Sequence, residues 1–257
     1  ADPRMVKWAR ALTGYSVEVR PGQVVAIRGA TAAEPLLREI VREVVERGGH
    51  PVPWLPLSGA GAELLKQGSD GQLEYISPIE RFMREEADVV INVMAETNTR
   101  SLAGVDPSRQ AVYQKVRRPL FERFMARAAS GEADWTLTLF PTDAYAQDAD
   151  MDTEAYTEFV LAACKLDRDD PVQAWLDLKS EQQRLVDWLD GRSEVRLSGP
   201  DIDLTLSIAG RTWVNSDGKR NFPSGEIFTG PVEDSVNGTI RFSYPVVTAG
   251  REIEDIR

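Results

Sequence analysis

Four short apolar runs, separated by segments of helical period, constrain the fold of this chain more than any other feature. The first is Val24-Val25-Ala26-Ile27, after the turn at Pro21-Gly22; residues 52–57, Val89-Val90-Ile91-Asn92-Val93 and residues 135–140 supply the other three. The runs at Val24 and Val89, short and without regular polar alternation, suit strands buried on both faces. Between the first two, Leu36, Leu37, Ile40, Val41, Val44 and Val45 mark one face of a helix that Gly48-Gly49 stops. The spacing of Thr31 and Glu34 predicts a capping box at its start. Residues 79–86 and a long segment opened by Asp106-Pro107 read as further helices, and an amphipathic stretch over residues 5–12 precedes the first strand. Such alternation implies right-handed crossovers and a mostly parallel sheet flanked by helices, an α/β fold.

The pattern changes near Gly191. Helices are expected around residues 154–166 and from Asp170-Pro171 onward, the latter carrying Trp175, Leu178, Leu185 and Trp188. Beyond them Ile202, Leu204, Leu206 and Ile208 alternate with Asp203, Thr205 and Ser207, and Ile240, Phe242, Tyr244 and Val246 repeat the alternation. Strict period two with a polar face describes an antiparallel sheet. The expected organisation is therefore an N-terminal α/β domain over residues 1–191, followed over residues 192–257 by the incomplete start of an α+β domain rich in antiparallel strands. The alternation in the last seven residues, from Arg251 to Arg257, makes that second part look unfinished.

Composition removes several function classes. With 30 basic against 41 acidic residues the net charge is -11, which argues against nucleic acid as a partner, since phosphate-backbone binding draws on Lys and Arg. A single cysteine, Cys164, allows no internal disulfide and no Cys-cluster zinc site, pointing to a cytoplasmic location. Charges at Asp2, Arg4, Lys7 and Arg10 break any signal-peptide pattern, and no apolar run is long enough for a bilayer span, so no membrane partner is expected. His50 is the only histidine and reads as a surface or turn residue; alone it cannot form a two-histidine metal site, and no Gly-x-Ser-x-Gly elbow accompanies it. The turn Arg28-Gly29-Ala30-Thr31 lies where a nucleotide-binding fold cradles phosphate, yet it lacks the three-glycine fingerprint and reads as an ordinary turn.

The informative stretch runs from Trp213 through Gly238, polar and punctuated by Gly and Pro, and long for a connection between two amphipathic strands. Long connections in compact domains are commonly functional, and the embedded Ile227, Phe228, Val232 and Val236 argue for order. Asp217, Glu226, Glu233 and Asp234 are its carboxylates available to a metal or to acid/base work.

Three runs in this stretch, Asn215-Ser216-Asp217-Gly218, the segment from Pro223 through Glu226-Ile227-Phe228 to Pro231, and Glu233-Asp234-Ser235-Val236-Asn237-Gly238, resemble the signature of the metallo-aminopeptidase family typified by aminopeptidases T, S and II. Upstream, Glu96-Thr97-Asn98, Gly104-Val105-Asp106-Pro107, Trp135-Thr136-Leu137-Thr138, Pro141-Thr142 and Ala146-Gln147 extend the resemblance over nearly the whole chain. The resemblance implies a two-domain homodimeric enzyme that removes N-terminal residues from peptides with water activated by two divalent ions, cobalt, zinc or magnesium. It assigns Glu226 as a metal ligand. The family's other ligands belong to motifs further towards the C-terminus, so the chain is expected to be a truncated form that binds no metal tightly and is itself inactive. A non-catalytic binding or dimerisation module derived from the same family is the alternative.

Overall fold

A computed structural model describes residues 2–248 and 251–254. The helices are α1 (Pro3–Ala11), α2 (Glu34–Glu46), α3 (Ala60–Gln67), α4 (Asp70–Glu74), α5 (Pro78–Arg81), α6 (Pro107–Ser130), α7 (Asp143–Asp148), α8 (Thr153–Ala163) and α9 (Pro171–Leu189). The strands are β1 (Val24–Gly29), β2 (His50–Trp54), β3 (Val89–Met94), β4 (Asp134–Leu139), β5 (Glu194–Gly199), β6 (Ile202–Ser207), β7 (Val214–Ser216), β8 (Asn221–Phe222), β9 (Glu226–Phe228), β10 (Asn237–Ile240), β11 (Val246–Thr248) and β12 (Arg251–Ile253). Two compact units emerge, Ala1–Ala174 with Gly218–Pro223, and Trp175–Asp217 with Ser224–Arg257. No helix among the described residues is long and apolar enough to cross a membrane.

The first unit holds a parallel sheet in the order β2-β1-β3-β4-β8, as the strand-helix alternation implies. One face carries Val25, Ile27, Val89 and Ile91, all fully buried. Side chains of this size contribute about 1.5–3 kcal/mol each on burial. Helix α2 packs on β1 and β2 here. Gly29 lets Leu37 approach the strand closely, because a Cβ there would come 2.8 Å from the leucine methyls. The other face brings Ala26 and Val90 against Met83, Ala87, Phe124 and Ala133, with Trp54 and Trp135 at the margin.

Helix α6 begins as its sequence predicts: Asp106 caps it by accepting from the Ser108 amide at 2.8 Å, and Pro107 occupies the first turn, where no donor is needed. The capping box expected at Thr31 does not form. Residues Thr31–Ala33 make a single 3-10 turn and α2 starts only at Glu34, without a side-chain cap. Pro35 is the reason, since a helix capped at Thr31 would need the amide that proline lacks at its fourth position.

In the second unit β5, β6 and β10 form an antiparallel sheet, β7 pairs with β9, and β11 pairs with β12. The single strand suggested by Ile240, Phe242, Tyr244 and Val246 is interrupted: β10 ends at Ile240 and pairing resumes only at Val246. Pro245 removes a ladder donor in the gap, and Tyr244 is exposed. Of the terminal alternation, Arg251–Ile253 forms β12, and Asp255, Ile256 and Arg257 lie outside the described residues.

Two placements lie beyond what the sequence pattern indicates. Within the long stretch after Trp213, Asn221 and Phe222 join the first unit's sheet as its fifth parallel strand, pairing with Leu137 and Thr138. Most of α9, from Trp175, groups with the second unit. Apolar periodicity shows that α9 has a face to bury, but leaves open which sheet receives it.

Candidate functional site

Within the second unit, residues 214–217 and 224–228 form a framework anchored on α9. Strands β7 and β9 pair antiparallel, with Ser216 opposite Glu226 and Asn215 opposite Ile227. From α9, the Gln182 side-chain amide donates to the Asn215 side-chain oxygen at 2.7 Å and to the main-chain oxygens of Ser216 and Glu226 at 3.2 Å each. Asn215 in turn donates to the Lys179 carbonyl at 3.0 Å and to Gln183 Oε1 at 3.1 Å. The hydroxyls of Ser216 and Ser224 meet at 2.6 Å. Gly225 joins these elements at φ +113, where a Cβ would come 3.3 Å from Leu178. Only glycine takes that backbone without strain.

The four carboxylates of the stretch differ sharply in environment. Asp217 is buried and paired with Lys179 Nζ at 2.8 Å. Glu233 is exposed and bonded to Arg211 at 2.5 Å; a hydrogen bond from its own backbone amide, then Arg211, hold its pKa below the usual glutamate range. Asp234 is exposed. Glu226 is exposed at the start of β9, and its carboxylate makes no ion pair or side-chain hydrogen bond among the described residues. The backbone around Glu226 is thus fixed while its acid group stays available. Among the described residues no three His, Cys, Asp or Glu side chains gather in a way that could hold a metal ion.

Two further residues weighed in the sequence, His50 and Cys164, differ in exposure. His50 is exposed at the first position of β2. Cys164 caps the end of α8 and is fully buried, which pushes its thiol well above the ordinary range and leaves it protonated at neutral pH. Several upstream motif residues tie the loops that follow β3 and β4. Thr142 donates to the Glu96 carbonyl at 2.7 Å, and the Glu96 amide donates to the Tyr145 hydroxyl at 3.3 Å. Thr136 donates to the Arg220 carbonyl at 3.0 Å, fastening the β8 segment beside β4.

Lys179 and Gln182 were not singled out by sequence reasoning. The signal for Gln182 was present, because it continues the stripe of Trp175, Leu178 and Leu185 as a polar residue at an apolar position.

By sequence the chain falls in a family of metalloproteases. Its sequence matches the thermophilic metalloprotease family M29 over residues 1–257, and the chain belongs to that family. Aminopeptidase 2 of Geobacillus stearothermophilus is 28% identical over 98% of this chain and 66% of its own length. Aminopeptidase AmpS of Bacillus subtilis is 26% identical over 96% of this chain, again covering 66% of the relative. The chain therefore spans slightly less than two thirds of the length of these curated relatives. In structure it resembles wild-type AmpT from Thermus thermophilus, with a TM-score of 0.78 at 20% identity over 99% of this chain and 68% of that one, which establishes the fold.

Proposed function

We propose that this chain is part of a metal-dependent aminopeptidase that removes N-terminal residues from peptides, and that Glu226 supplies one carboxylate to its metal centre. The observation that carries this reading is the state of Glu226: an unpaired, accessible carboxylate on a backbone fixed by Gln182, Ser216 and the β7 ladder. Membership of the M29 family and the aminopeptidase names of its relatives support the activity. In this reading residues 1–191 act as the N-terminal domain and residues 192–257 belong to the catalytic domain. The working enzyme is a cytoplasmic homodimer.

Two divalent ions, when bound, would activate a water and polarise the scissile carbonyl. The described residues do not fit such a centre by themselves, because nowhere among them do three potential ligands gather, and each ion requires several. This chain's own contribution is positional. Gln182 holds the Glu226 carbonyl and the Ser216 carbonyl together, so β9 presents its acid group at a fixed point opposite Ser216.

The test measures cobalt and zinc content and leucine p-nitroanilide hydrolysis on one sample, for this chain and for a chain of the relatives' full length. The full-length protein is expected to bind metal and turn over, with Glu226→Gln lowering metal content. Full-length protein that folds but neither binds metal nor hydrolyses the substrate would favour a non-catalytic module. Unchanged metal content in Glu226→Gln would remove Glu226 from the ligand set.

A further inference from the structure

Two guanidinium groups of the first unit, neither in an ion pair among the described residues, lie over rings of one apolar cluster, Trp54 and Phe124. Arg28 projects from the carboxyl-terminal part of β1, its guanidinium 5.4 Å from the Trp54 ring centre. Arg84, in the turn of Phe82–Glu86, stands 4.8 Å from the Phe124 ring and 5.6 Å from that of Phe121. Neither guanidinium enters an ion pair or a hydrogen bond among the described residues. Burial first, and then the charge of Arg28, lower the pKa of Arg84, while Glu80 opposes the shift. A third guanidinium, Arg117, lies 3.4 Å from the Tyr113 ring centre and pairs with Glu80 at 2.8 Å. Three arginines against one glutamate leave a local charge of +2 (3 − 1). Nearby, Glu85 is already engaged by Arg123.

The position in the sheet is as informative as the charge. Trp54, Arg28 and Asn92 are register partners across β2, β1 and β3, so they occupy one row on one face. From β1 the chain runs to β2 on one side, then crosses to β3 on the other. Open parallel sheets bind ligands outside the carboxyl ends of their strands at such a switch point. Asn92 is partly exposed, and its side chain makes no hydrogen bond among the described residues. A guanidinium stacked on a ring keeps its N–H edge available for a planar, two-pronged contact with an oxyanion.

We propose that Arg28 and Arg84, with Asn92 beside them, bind the phosphate group of a small phosphorylated molecule at the carboxyl edge of the first unit's sheet. A dianion matches the local charge of +2 where a monocarboxylate leaves half of it uncompensated. The contacts come from side chains, so the missing glycine fingerprint at Arg28-Gly29-Ala30-Thr31 is no obstacle: no backbone cradle is used. An oxyanion also relieves the repulsion between the two guanidiniums, which Glu80 offsets only in part.

Calorimetric titration of the chain with inorganic phosphate, and separately with acetate, tests the site. Saturable phosphate binding is expected, with acetate weaker by about tenfold or more and each of Arg28→Gln and Arg84→Gln weakening phosphate by roughly tenfold. Arg38→Gln, which removes an exposed guanidinium of α2 paired with Glu34, should leave phosphate affinity unchanged. Circular dichroism verifies that each variant is folded; Arg28 is exposed, so its variant carries the test if Arg84→Gln unfolds. The proposal is overturned by absence of saturable phosphate binding to the parent chain. It is equally overturned if folded Arg28→Gln binds as tightly as Arg38→Gln, or if acetate binds as tightly as phosphate.

Discussion

The two units of this chain solve the problem of burying a sheet in different ways. In the first, helices cover both faces of a parallel sheet, and Trp8, Leu12, Val25, Ile27, Ile40, Val89 and Ile91 lose all contact with water. In the second, Trp175 and Ile208 are deeply buried, whereas Leu197, Val214, Phe228, Val236 and Phe242 remain between two fifths and half exposed. What order the second unit has near Glu226 comes from directed hydrogen bonds, above all those of Gln182, and from strand ladders. A fold held by burial tolerates loss of one polar contact; a framework held by a few polar contacts does not.

Substitutions that strike each mode of stabilisation should separate the units. Trp8→Ala empties a fully buried site and removes the indole donor to Thr138, and it is expected to cost about 3–5 kcal/mol in urea unfolding of the first unit. A cost below about 1 kcal/mol would mean that burial does not dominate there. Gly238→Ala comes next: φ is +126, and a Cβ would run into the Asp203 carbonyl of the paired strand. Hydrogen exchange should show loss of protection across β6 and β10, at about 1–3 kcal/mol, with β1 and β3 unaffected. Gln182→Ala removes three hydrogen bonds around one buried side chain. Faster exchange at β7 and β9, worth about 1–3 kcal/mol, is the expected result, and unchanged exchange would show that these strands hold without α9.

Smaller effects sharpen the comparison. Burial pushes the pKa of Glu80 up, but the Arg117 guanidinium beside it, aided by the Ser77 amide, outweighs this and holds it below the usual range. A depressed carboxylate stabilises the fold above its unfolded pKa, about 4.3, and that stability is lost as pH falls through the lower folded value. The first unit's melting temperature should therefore drop with acidification below that point, and Glu80→Gln should flatten the dependence. Least of all, Leu197→Ala on the exposed β5 should change stability by no more than about 0.5 kcal/mol. A larger loss would reveal burial of that face in the assembled protein.

Much of the first unit was legible in the sequence, and the reasons are local. Asp106-Pro107 announces α6 because a short acceptor followed by a donorless residue meets the needs of a helix start, and Val89 through Val93 announce a strand because only two-sided burial suits such a run. Pro35 escaped that reading at α2, where its missing amide displaced the cap predicted at Thr31. At the candidate site the motif around Glu226 was visible, as was the length of the connection. The support from Gln182 and Lys179 was not, since they lie over thirty residues upstream of their partners.

Local pattern by itself determined the longer helices α2, α6, α8 and α9, that the first sheet is parallel, that antiparallel strands follow, and which carboxylates are candidates, but it did not indicate α3, α4 or α7. Each of these depends on the period of apolar residues or on turn chemistry within a few positions. Tertiary structure alone decided that Asn221 and Phe222 close the first unit's sheet, that α9 groups from Trp175 with the second unit, and that Glu226 stays free while Asp217 is neutralised by Lys179. The physical reason is that strand partners and ion pairs are chosen by proximity in space, across separations over which periodicity carries no information.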